Sequence, residues 1–236
     1  MMTRARPARR ALGWALATTL ALSACGNDTN KTENAQVAGG VIRDVVALVK
    51  PKKAPEETTA ARDDEALAQA ALRSLKTPAL IATIESTGSR SVLGMIGENG
   101  TMRTYATPTQ QSMIFRQGVL VGTRGLGHDM MSAEVDAVAQ LIRGRRAGTV
   151  PVTLRYLDGL GMERPLPVTC TVSTGAEQAF DFAGSHWQGQ QVIQTCTDNG
   201  ANFTNNYVVS ASGDILLSRQ WIGPNLGYVT LRVVRL

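Results

Sequence analysis

From Ala79 to the C-terminus the chain alternates short runs rich in Val, Ile, Leu, Thr and Tyr with clusters of turn residues. That punctuation constrains the fold more than any other feature, because strands of this length must find neighbours in a sheet. The runs are Ala79 to Glu85, Ser91 to Ile96, Thr101 to Ala106, Ser112 to Val121, Val150 to Tyr156, Pro165 to Val172, Gln190 to Cys196, Asn206 to Ser210, Asp214 to Trp221 and Tyr228 to Val234. Between them lie Thr87-Gly88-Ser89, Asn99-Gly100, Gln117-Gly118, Asp158-Gly159, Ser173-Thr-Gly175, Asn199-Gly200 and Ser212-Gly213. Asn99-Gly100 is the strongest hairpin signal, since both residues accept positive φ. The expectation is a mainly β domain: an antiparallel β-sandwich or a partly closed β-barrel with one or two short helices. One helix is predicted over Asp63 to Leu75, with acids in its first turn, Arg73 and Lys76 at its end, and Pro78 as a stop. A second is predicted over Ser132 to Gly144, with Ser132 as N-cap.

The N-terminal region reads differently. Arg4, Arg6, Arg9 and Arg10 precede a charge-free run from Ala11 to Leu22, the layout of a secretory signal. About a dozen apolar residues fall short of the roughly 20 needed to span a bilayer. Leu22-Ser23-Ala24-Cys25 resembles the lipobox of bacterial lipoproteins, in which the cysteine is acylated and becomes the first mature residue. The expected organisation is a signal peptide over 1–24, the lipidated Cys25 and a tether over 25–60, and a β-rich domain over 61–236. Gly26, where Asp would favour the inner membrane, points to the outer membrane with the domain facing the periplasm. Val41 to Lys50 reads as either a short helix or a strand.

Of the chain's formal charge of +5, four units belong to the removed arginines and no acid leaves with them, so the mature protein carries +1. The high isoelectric point therefore gives no reason to expect nucleic acid as a partner. Cys170 and Cys196 form an even pair in an oxidising compartment and read as one disulfide. No cofactor beyond the acyl lipid is expected, and no metal: the cysteines lack CxxC spacing, and His128 and His186 have no ligand partners at suitable spacing.

Three further segments, Glu98-Asn99-Gly100, Gly118-Val-Leu-Val-Gly-Thr-Arg-Gly-Leu-Gly-His-Asp129 and Ile215-Leu-Leu-Ser-Arg-Gln-Trp221 with Pro224, resemble the YjbF/GfcB lipoproteins linked to exopolysaccharide and group 4 capsule production. The resemblance covers roughly Ile81 to Leu236. It implies a periplasm-facing β-rich lipoprotein acting beside an outer-membrane β-barrel partner in polysaccharide export.

Each candidate site also has a purely structural reading. In Gly125-Leu126-Gly127-His128-Asp129 the glycines either present Arg124, His128 and Asp129 to a ligand or supply positive φ at a turn that Asp129 caps. Trp187, read as part of a polar turn over Gly184-Ser-His-Trp-Gln-Gly189, is the aromatic candidate for sugar stacking, while Trp221 reads as core. There is no GxSxG nucleophile elbow. Asp129, Glu163, Asp181 and Asp214 are the candidate acids for a glycosidase pair, but no spacing singles out two of them. Docking by strand addition is expected at edge strands near Val150 to Tyr156 or Tyr228 to Val234. The expected role is a non-catalytic accessory; a polysaccharide-binding module and a polysaccharide-modifying enzyme are the alternatives.

Overall fold

The computed structural model describes residues 55–198 and 200–236; the signal segment, Cys25 and the Val41 to Lys50 run lie outside the described residues. Helix α1 (Pro55–Ser74) leads into β1 (Ala79–Ile84), β2 (Ser89–Asn99), β3 (Met102–Ala106), β4 (Ser112–Arg116), β5 (Val119–Arg124) and β6 (Met130–Glu134). Helix α2 (Asp136–Arg143) is followed by β7 (Gly148–Leu157), β8 (Glu163–Phe182), β9 (Ser185–Thr197), β10 (Asn202–Val209), β11 (Ile215–Gly223) and β12 (Gly227–Arg235). Regular structure thus begins ahead of position 61.

All twelve strands form one antiparallel sheet in the order β5-β4-β3-β2-β1-β12-β11-β10-β9-β8-β7-β6. The order is an up-and-down meander bent round on itself, nearly closed into a barrel. Its first and last strands are fully laddered, from Ala79 opposite Arg235 to Ile84 opposite Val229. The break falls mid-chain instead, between β5 and β6. Neither β7 nor β12 is an edge: β7 pairs with β6 and β8, and β12 with β1 and β11. This overturns the expectation of docking edges at Val150 to Tyr156 and Tyr228 to Val234, because alternation in a half-buried strand marks a buried face and says nothing about free backbone.

The period-two pattern sorts the two faces. On β12, Val229, Leu231 and Val233 point into the main core with Leu80, Ala82 and Leu93, while Val234, Ile81 and Ala79 face outward. That outward patch is covered by α1, whose Ala68 and Ala71 are buried against it and whose Leu67, Leu72 and Leu75 flank them. Small residues at the contact let the helix approach the sheet closely.

Three segments differ from the sequence reading. Ser132 pairs with Arg155 in the β6–β7 ladder, so the strand runs on to Glu134 and the helix is confined to Asp136–Arg143. No side chain caps α2; it is held by Val138, Ala139 and Ile142, all fully buried in the core. The run Ser112 to Val121 divides into β4 and β5 at Gln117-Gly118, both at positive φ. The third difference is at Ser173-Thr-Gly175, where β8 continues through an irregularity between Thr174 and Glu177.

As a result, β8 and β9 extend as a hairpin arm, residues 177–189, beyond the part of β8 that pairs with β7. At the base of the arm a Cβ on Gly189 would come within 2.6 Å of the Val209 carbonyl oxygen, so only glycine permits this approach to β10. At its tip the Ala183 amide donates to the Glu65 carboxylate of α1 at 2.9 Å. The arm therefore turns back over the outer face of the barrel.

A round barrel of twelve strands would leave a wide interior. Here side chains cross that interior and hydrogen-bond strands that are not neighbours in the sheet. Gln220 of β11 accepts from the Leu120 amide at 2.8 Å and donates to the Gly118 carbonyl at 3.2 Å, reaching β5 and the turn before it, on the far side of the ring. Tyr156 of β7 donates to the Ile222 carbonyl of β11 at 2.9 Å. Trp221 stacks on Phe203 and meets Tyr156 edge-on.

The disulfide joins Cys170 and Cys196, directly opposed in the β8–β9 ladder and fully buried. Gln194 lies over both sulfurs and accepts from Asn205 and Tyr207. Burial raises the Tyr207 pKa well above its ordinary value, so the phenol stays a donor. Replacing both cysteines by alanine is expected to lower the unfolding free energy by about 3 to 4 kcal/mol in a denaturant titration, the chain-entropy value for a loop of this length. An unchanged midpoint would contradict that.

Candidate functional site

The Thr123 to Asp129 segment sits at the seam between β5 and β6, where no backbone ladder forms among the described residues. Side chains take its place. The Asp129 carboxylate accepts from Thr123 Oγ1 at 2.8 Å, the Gly125 amide at 2.9 Å and the Leu126 amide at 3.1 Å. Thr123 Oγ1 in turn accepts from the Met130 amide, and the Arg124 guanidinium donates to the Thr123, Met130 and Met131 carbonyls. Gly125 and Gly127 both adopt positive φ in the connecting loop. Arg124 and Asp129 are therefore occupied in joining the two halves of the barrel. His128 is exposed beside Asn225, with its Nδ1 3.1 Å from the Asn225 amide nitrogen, which brings the β5–β6 loop against the β11–β12 turn.

Trp187 is on β9 in the arm rather than in a turn. It is half-buried against the α1 cluster, opposite Phe180, and its indole N–H donates to the Phe182 carbonyl at 3.0 Å. It lies apart from the Arg124–Asp129 loop, so the structure does not gather the four candidate binding residues into one site. The four acids are equally dispersed. Asp129 binds the loop, Glu163 pairs with Arg155, Asp181 with His186, and Asp214 accepts from Ser212 in the β10–β11 turn. No group of three metal-ligating side chains occurs among the described residues.

Two cavities stand out. One, of about 260 Å³, is a mouth of the barrel interior, with Leu80, Tyr105, Phe115 and Leu231 below and Arg103, Arg143 and Asp214 among the residues at its rim. The larger, about 380 Å³, lies outside the barrel, between arm residues 177–182 and the outer face of β10, β11 and β12. Its walls carry Phe180 and Phe182 from the arm, Gln191 from β9, Asn206 from β10, Arg219 from β11 and Arg232 from β12.

Sequence reasoning did not find this cleft. Asn206, Gln178 and Gln191 look like ordinary polar positions of half-exposed strands, and the cleft exists only because the arm folds back. The available signal was strand length: the alternating texture Ala179-Phe-Asp-Phe182 continues past the residues that β7 can pair.

A family model described as group 4 capsule polysaccharide lipoprotein GfcB, YjbF matches residues 32–234. The match extends further toward the N-terminus than the resemblance from Ile81 onward. The crystal structure of the hypothetical lipoprotein YmcC from Escherichia coli K12 superposes with a TM-score of 0.63 at 14% identity, covering 79% of this chain and 98% of that one. At that identity the likeness speaks for the fold. No curated protein matches the chain.

Since Asp129 holds three donors, Thr123 at the end of β5 and the Gly125 and Leu126 amides of the connecting loop, Asp129→Ala is expected to destabilise the protein by about 2 to 3 kcal/mol, in the range for hydrogen bonds to a charged group. Asn225→Ala, on the exposed neighbouring turn, should stay within about 0.5 kcal/mol. Denaturant titrations of the two variants distinguish these outcomes; equal effects would mean that Asp129 is no lock.

Proposed function

Because the chain belongs to the YjbF family of group 4 capsule polysaccharide lipoproteins, we propose that it is a non-catalytic accessory of exopolysaccharide or capsule export. It is held on the periplasmic face of the outer membrane by acyl chains on Cys25 and works beside an outer-membrane β-barrel partner. The observation that carries this reading is the family match over 32–234, which begins just after the lipobox cysteine and runs through the last strand.

Each part has a physical basis. Two or more acyl chains give the stable membrane attachment that a single chain does not. The segment after Cys25 gives reach between the bilayer and the folded domain. A non-catalytic role is favoured by the acids, each engaged by its own partner at a separate place in the fold. A protein partner is favoured by the β7–β8 turn, where Leu160 and Met162 expose apolar surface.

The test is genetic and biochemical. Cys25→Ala is expected to remove the protein from the outer-membrane fraction and to reduce surface polysaccharide to the level of the deletion strain. Retention in the outer-membrane fraction, or export at the wild-type level in the deletion strain, would contradict the proposal.

A further inference from the structure

We propose that the cleft between the β8–β9 arm and the outer face of β10–β12 binds an uncharged oligosaccharide. This deepens the function proposed above and rests on it for the ligand class. The cleft's volume of about 380 Å³ is in the usual ~300–1,000 Å³ range for small-ligand sites.

The charged groups exclude an anion. Arg219 is held by the Glu85 carboxylate through contacts of 2.7 to 3.1 Å, and its guanidinium lies 3.4 Å over the Tyr228 ring. Arg232 pairs with Asp64 at 3.2 Å and lies over Phe182. Both cations lining the cleft are thus already compensated by carboxylates. Glu177 and Asp181 add negative charge from the arm, which opposes a second anion.

What the walls leave free is amide. Gln178, Gln191 and Asn206 line the cleft, and none of their side chains makes a hydrogen bond among the described residues. Asn206 Nδ2 is shut off from solvent without a partner, a cost to the folded state that packing alone does not repay. Rotation about the terminal side-chain torsion, which is soft, turns that NH₂ group into the cleft. A side-chain amide offers a donor and an acceptor together, matching a hydroxyl, which is also both. Phe180, half-buried on the arm, supplies an apolar wall on which the C–H face of a sugar ring packs. Unused amides and an aromatic ring, with no free cation among the described residues that line the cleft, form the recognition chemistry of a neutral polyol.

The experiment uses the full-length protein in detergent, screened against an array of neutral and uronic-acid oligosaccharides and followed by calorimetry on the best binder. The expected result is saturable binding of neutral glycans that Asn206→Leu and Gln178→Ala each weaken tenfold or more. Asn206→Leu removes the buried unpartnered amide while keeping the branched four-atom side-chain skeleton, so its melting temperature should be unchanged or higher, separating lost recognition from lost folding. Binding unaltered in both variants, a preference for the acidic glycans, or no saturable binding would each overturn the proposal. Any of these alongside the expected loss of surface polysaccharide in Cys25→Ala would remove the cleft while leaving the accessory role standing.

Discussion

A buried glutamine decides whether this barrel has an open interior or a packed one. Gln220 stands on β11, opposite the one place in the ring where neighbouring strands lack a backbone ladder. By accepting from the Leu120 amide it satisfies a donor on β5 that no strand partner reaches. Its own amide group is fully used, since Nε2 donates to Ser218 Oγ and to the Gly118 carbonyl. The contact ties two opposite walls together beside a core that includes Val229, Leu231 and Val192. The seam at β5–β6 then needs only local closure, which Asp129, Thr123 and Arg124 provide.

This gives the two most specific resemblance segments a physical meaning. Gly118 to Asp129 and Ile215 to Trp221 meet through Gln220, and the His128–Asn225 contact adds a second meeting point at the adjoining turns. At Gly118 a Cβ would lie 2.9 Å from the Ile215 side chain, so the turn between β4 and β5 packs directly on the start of β11. These segments hold the barrel shut. The groups with unspent hydrogen-bonding capacity lie elsewhere, on the outer face under the arm. Scaffold and recognition chemistry are thus carried by different parts of the chain, consistent with a site added to a rigid sheet.

Much of this was legible in the sequence. Turn residues and alternation located nearly every strand, because positive φ at Gly100, Gly118 and Gly213 and the period of two are local properties. The disulfide followed from compartment and count. What was not legible depends on tertiary contact. Ser132 followed by Glu134 and Asp136 imitates a helix start, yet the pairing of Ser132 with Arg155 wins over the local cap preference. Trp187 sits among polar residues and glycines and looks exposed, until α1 and the arm close over it. The seam, the arm and the cleft depend on which strands lack a neighbour, and alternation does not record that.

Native-state hydrogen exchange at two amides tests the locked seam most directly. Leu120 donates to the Gln220 side chain and Met130 to the Thr123 hydroxyl, and neither bond belongs to a ladder. If the barrel is closed by these side chains, both amides should exchange as slowly as the ladder amides of β1 and β12, opening only with the larger unit. Exchange at Leu120 and Met130 orders of magnitude faster, with β1 and β12 still protected, would mean that the seam stands open and that Gln220 holds nothing together.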